Sequence, residues 1–239
     1  MTDRRSLGRF YGVGVGPGDP ELLTLRAYRV LAGVPVIFVP QKDGESASFA
    51  RSIIGSAVKS PEHRVTGLIF PMTRDREKLA EHWEQAVNAI WKELESGNDC
   101  AFINVGDPLL YGTFIHVYEG LKKSHPEVDV EVIPGISSVN AAAARTVTPL
   151  ASDDERIAII SATDDDNFIR ETLKNFDCVV ILKIHRLPDR LLDILEQMNV
   201  AEKCIYVRRC TTQDEEIVRN VSELRGSKLD YFSLLLMRR

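Results

Sequence analysis

Apolar residues along this chain fall into short continuous runs, each followed by a longer stretch in which they recur every three or four positions. The segments at 11–15, 34–40, 65–70, 100–105 and 128–133 read as strands, and the continuous apolar run at 34–40 is that of a strand buried on both faces. Between the first two, Leu22, Leu25, Ala27, Val30 and Leu31 stand at helical spacing. Asp19 is the expected N-cap of that helix, with Pro20 at its first position and Gly33 just past its end. Further helices are expected near 48–58, from about 74 to 95 with Gly97 as the stop, at 113–123, and at 137–146, where alanine dominates. A helix between consecutive buried strands implies parallel crossovers. The first half is therefore a β-α repeat ending near Pro149.

A polar stretch at 151–155 then marks a junction, which predicts domains at 1–149 and 150–239. Domains of about 100–150 residues are typical, so 239 residues suit two of them. Beyond the junction, strands at 156–161, 178–182 and 203–207 alternate with helices near 167–175 and 188–198. Two further strand-like runs, 216–220 and 231–239, are joined by the short VSELRGSKLD connection. A link of that length favours antiparallel pairing, so a mixed sheet is expected in the second half. The fold class is α/β, with a mainly parallel N-terminal sheet flanked by helices and a C-terminal mixed sheet with helices.

Charge narrows the function. The formal net charge is -5, with 27% charged residues of both signs interspersed, which speaks against a nucleic-acid or anionic-membrane binder. No apolar window approaches the ~18–20 residues of a membrane span, and the opening MTDRRSLGRF has no apolar signal segment, so a cytoplasmic location is expected. Cys100, Cys178, Cys204 and Cys210 form no C-x-x-C pair and read as reduced packing residues. His116 and His185 have no second ligand at metal spacing, and no protein-bound metal is predicted. Trp83 and Trp91, eight apart on the long helix, have core or interface spacing.

Ligands of open α/β sheets collect outside the carboxyl ends of strands, where three turns have unusual chemistry. The first, 16–20, is Gly-Pro-Gly-Asp-Pro. The dinucleotide fingerprint G-x-G-x-x-G fails here: counted from Gly12 its third glycine is Pro17, and counted from Gly14 it is Asp19. The second turn, VGDPLLYGTF at 105–114, offers glycine, an acid and a proline. The third, PGISSVNAAAA at 134–144, puts Ser137 and Ser138 at a helix start. Asp107 alone could be a turn cap and the serines N-caps. Together, the turns would present main-chain groups and one carboxylate to a single crevice. That suits a neutral-to-cationic ligand such as an adenosyl group, because a phosphate cradle would want a lysine or arginine in these turns.

The segments GVGPGDPELLT, GDPLLYG and PGISS resemble, in order and spacing, the motifs of the tetrapyrrole methylases, S-adenosylmethionine-dependent enzymes of corrin and sirohaem synthesis. Within that family the chain is most similar to the group acting at carbon 20 of precorrin-2 or cobalt-factor II in cobalamin biosynthesis. FPMTRDREKLAEHWEQAVNAI, TTQDEEIV and LRGSKLDYFSLLLMRR carry that likeness, which covers nearly the whole chain. The resemblance implies a two-domain fold with the donor held between the domains, a homodimer, and in-line methyl transfer. It implies donor contacts from Pro17, Val105, Gly106, Asp107, Leu110, Ser137 and Ser138, and further ones from Lys183 and Cys210. Uroporphyrinogen-methylating relatives carry an Asp after the second strand. Pro40 stands there in this chain, so that base is not transferred and no catalytic side chain is assigned.

An acceptor rimmed with acetates and propionates calls for basic partners, and Lys42, Arg74, Arg76, Arg186 and Arg209 are the candidates. Three alternatives stay open. One is a methyltransferase acting at another position of a corrin precursor. A nicotinamide oxidoreductase would be told apart by titration with NADH, and a non-catalytic tetrapyrrole carrier by its failure to transfer a labelled methyl.

Overall fold

The computed structural model describes residues 6–43, 48–55, 58, 63–71, 73, 75–163, 165–186 and 188–239, without the side chains of Arg76, Arg186 and Pro188. Two compact units divide the chain, Met1–Ser137 and Ser138–Arg239. The alanine-rich helix, grouped by the sequence with the first half, thus lies in the second unit.

The first unit runs β1 (Phe10–Gly14), α1 (Leu25–Gly33), β2 (Val36–Gln41), α2 (Phe49–Gly55), β3 (Arg64–Ile69), α3 (Arg76–Glu95), β4 (Cys100–Asn104), α4 (Phe114–Ser124) and β5 (Val130–Ile133). Its five strands lie in the order β3-β2-β4-β1-β5, every pair parallel, as the crossover helices require. Side chains alternate across the pleat. Phe10, Val36, Phe38, Cys100 and Phe102 pack with Ile90 and Leu94 of α3 and Phe114, Val117 and Leu121 of α4. Val13, Ile37, Val39, Ala101 and Ile103 pack on the other face with Ala27 and Leu31 of α1 and Ile53 of α2. Both faces of the inner strands β2 and β4 are covered, which is why they read as apolar runs, whereas the edge strands β3 and β5 are only partly buried. Pro40 is tolerated because β2 pairs with β4 only through Phe38, so the proline falls past that ladder.

The start of α1 differs from expectation. Asp19 caps only a one-turn 3-10 segment, Pro20–Leu22, by accepting from Glu21 N at 2.9 Å. The chain is extended at Leu23, and Thr24 becomes the N-cap of α1 by accepting from Ala27 N at 3.1 Å. Leu25 therefore opens the helix on its outer side, 73% exposed, instead of joining the core. On α3, both tryptophans pack within the unit: Trp83 lies against Phe70 and His116, and the Trp91 ring stacks on His125 at 3.6 Å.

The second unit contains α5 (Ser138–Thr146), β6 (Ile157–Ser161), α6 (Asp166–Asn175), β7 (Cys178–Leu182), α7 (Pro188–Gln197), β8 (Cys204–Arg208), β9 (Glu216–Val218) and β10 (Ser233–Arg238). The sheet order is β6-β7-β10-β8-β9, with β6 and β7 parallel and the remaining pairs antiparallel. The sheet is mixed, as expected, but the two final runs are not neighbours. β8 lies between β9 and β10, because their connection contains a 3-10 turn, Val221–Leu224, whose Val221 and Leu224 are buried in the core. Among the described residues, no helix is long and apolar enough to cross a membrane.

Candidate functional site

β1 lies between β4 and β5, and all three point the same way, so the turns that follow them leave from one edge of the sheet. The ladder continues past the strands. Val15 N donates to Asn104 O at 2.9 Å, and Gly106 N donates to Gly16 O at 2.8 Å. The third turn closes on the other two through bare backbone. A Cβ on Gly14 would lie 2.5 Å from Gly135 N and 2.6 Å from Gly106 O, and one on Gly135 would lie 2.2 Å from Gly106 O. Side chains cannot be accommodated at that junction, because non-bonded carbon and oxygen do not approach so closely. Gly12, the remaining glycine of the failed fingerprint, has a different task. Its missing side chain makes room for the Phe114 ring, which a Cβ there would meet at 2.4 Å.

Asp107 joins the second and third turns. Its Oδ1 accepts from Leu109 N at 2.9 Å and its Oδ2 from Gly135 N at 3.1 Å, so both carboxylate oxygens are engaged with main chain. The turn reading and the ligand reading of this residue thus meet in one geometry: the carboxylate shapes the cradle. Behind it stands Asn104, buried at the end of β4, which the sequence reading passed over. Its Nδ2 donates to Val105 O at 2.8 Å and Asp107 O at 3.3 Å, while its Oδ1 lies 3.5 Å from Phe114 N. An amide closing an apolar strand was the available signal, since buried polar groups are there to be hydrogen-bonded. Asn104→Leu leaves two carbonyls and an N–H without that partner, and is expected to lower the unfolding free energy in urea by about 1–3 kcal/mol. Unchanged stability would contradict the network.

The expected site residues fall into two groups. Pro17 is buried beside the Gly16–Gly106 bridge, Val105 and Leu110 are half-buried, and Gly106 is buried at φ 71°. Ser137 is buried at the end of the third turn, and Ser138 opens α5. Lys42 is exposed just past β2, at the same edge of the first sheet. Arg74 lies outside the described residues. Arg76 begins α3 and Arg186 ends a 3-10 turn after β7, both without described side chains.

Lys183, Arg209 and Cys210 follow β7 and β8, which are both antiparallel to β10 and so end at one edge of the second sheet. Lys183 (φ 58°), Arg209 (φ 45°) and Thr211 (φ 68°) occupy the left-handed region. Backbone strain of this kind gathers at ligand clamps. The Arg209 guanidinium is ion-paired to Asp230 at 2.8 Å and to Asp214 at 3.4 Å. Burial, with Glu215 nearby, pushes the Cys210 thiol up to about 12, and burial does the same for Cys100 and Cys204. All four cysteines are free and buried. Iodoacetamide at pH 8 is therefore expected to leave Cys100, Cys204 and Cys210 unmodified in the native protein and to label them after denaturation, read by mass spectrometry. Rapid native labelling of Cys210 would contradict this placement. Among the described residues, no group of three or more His, Cys, Asp or Glu could hold a metal ion.

With this geometry stands the match to the tetrapyrrole (corrin/porphyrin) methylases, which spans residues 9–224. The chain belongs to that family. It is 36% identical to the "Probable cobalt-precorrin-2 C(20)-methyltransferase" of Methanocaldococcus jannaschii, over 97% of this chain and 96% of that protein. It is 30% identical to the cobalt-precorrin-2 C(20)-methyltransferase of Salmonella typhimurium, over 96% of each. The uroporphyrin-III C-methyl transferase of Thermus thermophilus, solved in complex with S-adenyl homocysteine, has the same fold, with TM-score 0.68 and 23% identity over 97% of this chain and 92% of that one.

Proposed function

We propose that this protein transfers a methyl group from S-adenosylmethionine to carbon 20 of precorrin-2 or cobalt-factor II in cobalamin biosynthesis. The observation that carries the reading is the junction of Gly14, Gly106 and Gly135, where three turns approach through bare backbone and the Asp107 carboxylate ties the second to the third. The junction fits an adenosyl donor. The turns at 16–20, 105–114 and 134–144 contain no lysine or arginine, so they offer peptide dipoles in place of the cations that a phosphate would attract. Bound there, the donor supplies a methyl group on a positively charged sulfur.

Placement is the chain's contribution. Pro17, Val105, Gly106, Asp107, Leu110, Ser137 and Ser138 hold the donor, with Lys183 and Cys210 as its further contacts. Carbonyl groups of the turns favour positive charge by electrostatics. Orientation of two reactants is worth about 7–11 kcal/mol, so no nucleophilic side chain is needed. Lys42, Arg74, Arg76 and Arg186 hold acceptor carboxylates; Arg209 is the weakest member of that set because Asp230 and Asp214 already neutralise it. The protein acts in the cytoplasm as a homodimer, as the family likeness suggests.

The test is product mass after incubation with S-adenosylmethionine and either ring. One added methyl on one ring, matched by S-adenosylhomocysteine, is expected. Binding of a ring without methyl transfer would favour the carrier, and a methyl at another carbon would move the assignment within the family.

A further inference from the structure

We propose that Glu215 is a positioning residue for the donor, bracing the Cys210 turn against α5 through its ion pair with Arg145. The inference rests on the donor reading above and gives a role to a residue that the segment TTQDEEIV contains but that none of the expected donor contacts includes. Arg209 and Thr211 flank Cys210, and both occupy the left-handed region. Such a turn persists only where its surroundings over-determine it. Glu215 Oε2 accepts from Thr211 N at 2.6 Å, fixing the turn from its far side. Thr212 Oγ1 donates to Arg209 O at 2.8 Å, and Arg209 N donates to Phe232 O at 2.8 Å.

The carboxylate is itself held. Arg145 Nε donates to Glu215 Oε1 at 2.8 Å and Oε2 at 3.0 Å, and Arg145 Nη2 donates to Oε1 at 2.6 Å. This two-pronged geometry fixes direction as well as distance. The Glu215 side chain is only 11% exposed, although Arg145 is 56% exposed. Arg145 lies in the last turn of α5, the helix that Ser138 begins. One ion pair, 70 residues apart in sequence, therefore ties the helix carrying one expected donor contact to the turn carrying another. A surface ion pair is worth little by itself. Here its consequence is geometric, because Thr211 is held by the same carboxylate.

The experiment is titration of S-adenosylhomocysteine by calorimetry, with steady-state KM values for donor and ring, on the full chain and on Glu215→Gln and Arg145→Lys. Glu215→Gln is expected to weaken donor binding and raise donor KM about tenfold or more, with the KM for the ring within twofold. Arg145→Lys, which keeps the charge but not the fork, is expected to give a smaller shift in the same direction. Asp193→Asn, which removes an ion pair to Arg225 elsewhere in this unit, is the control and should leave donor affinity unchanged. Donor affinity within twofold of the parent in both test variants, or equal loss for donor and ring, overturns the inference alone. No binding to the unsubstituted protein overturns the donor reading and the inference with it.

Discussion

Gly135→Ala is expected to lower kcat/KM for the donor by about 100-fold or more, because misplacement by about 1 Å near a reacting centre costs that much. The added methyl would lie 2.2 Å from Gly106 O and 2.8 Å from the Gly14 Cα. None of these atoms is the mobile end of a side chain, so the turns after β1, β4 and β5 must move apart. Overpacking of this kind costs about 1–3 kcal/mol, and a fall of that size in unfolding free energy should accompany the kinetic loss. Gly33→Ala is the matched control. A Cβ there has no atom within 4 Å, and the position ends α1, so a gain of about 0.4–1 kcal/mol with unchanged activity is expected. Steady-state kinetics and urea unfolding on both variants decide the matter. Full activity in Gly135→Ala would mean that the junction of the three turns is not the site.

For Asp107→Asn the expected result is a donor affinity about 10–100-fold lower, together with a loss of about 1–3 kcal/mol of stability. Both carboxylate oxygens accept main-chain N–H groups, Leu109 N on one side and Gly135 N on the other. An amide has one oxygen, so its NH2 group must face one of these donors. Stability and affinity should fall together, since the same atoms close the second turn on the third. Lost affinity at unchanged stability would instead make Asp107 a direct ligand contact with no bracing role.

Much of the first unit was legible because its signals are local. Buried parallel strands read as apolar runs, and glycine with proline punctuated the ends of β1, β4 and β5. That their turns share one edge was expected from their like chemistry, but the order that makes β1 the neighbour of both β4 and β5 was not legible, since strand order is a long-range outcome. The start of α1 was ambiguous for a physical reason: Asp19 and Thr24 are both competent caps, and the extended Leu23 that separates their turns leaves no sequence mark. The order of β8, β9 and β10 was hidden by the two buried residues of the intervening 3-10 turn. Asn104 and Glu215 escaped because each acts by holding other groups: Asn104 stands just before the second turn, and Glu215 lies within TTQDEEIV, where nothing in the sequence marks it as the acceptor of Thr211 N.

The central claim is that main-chain groups at the carboxyl ends of β1, β4 and β5 grip an adenosyl donor. A crystal structure of the protein with S-adenosylhomocysteine tests it most directly. The adenosyl moiety is expected within hydrogen-bonding distance of the main chain at 105–110, beside Pro17 and Gly135. Ordered S-adenosylhomocysteine away from that edge, with the three turns empty, would contradict the account.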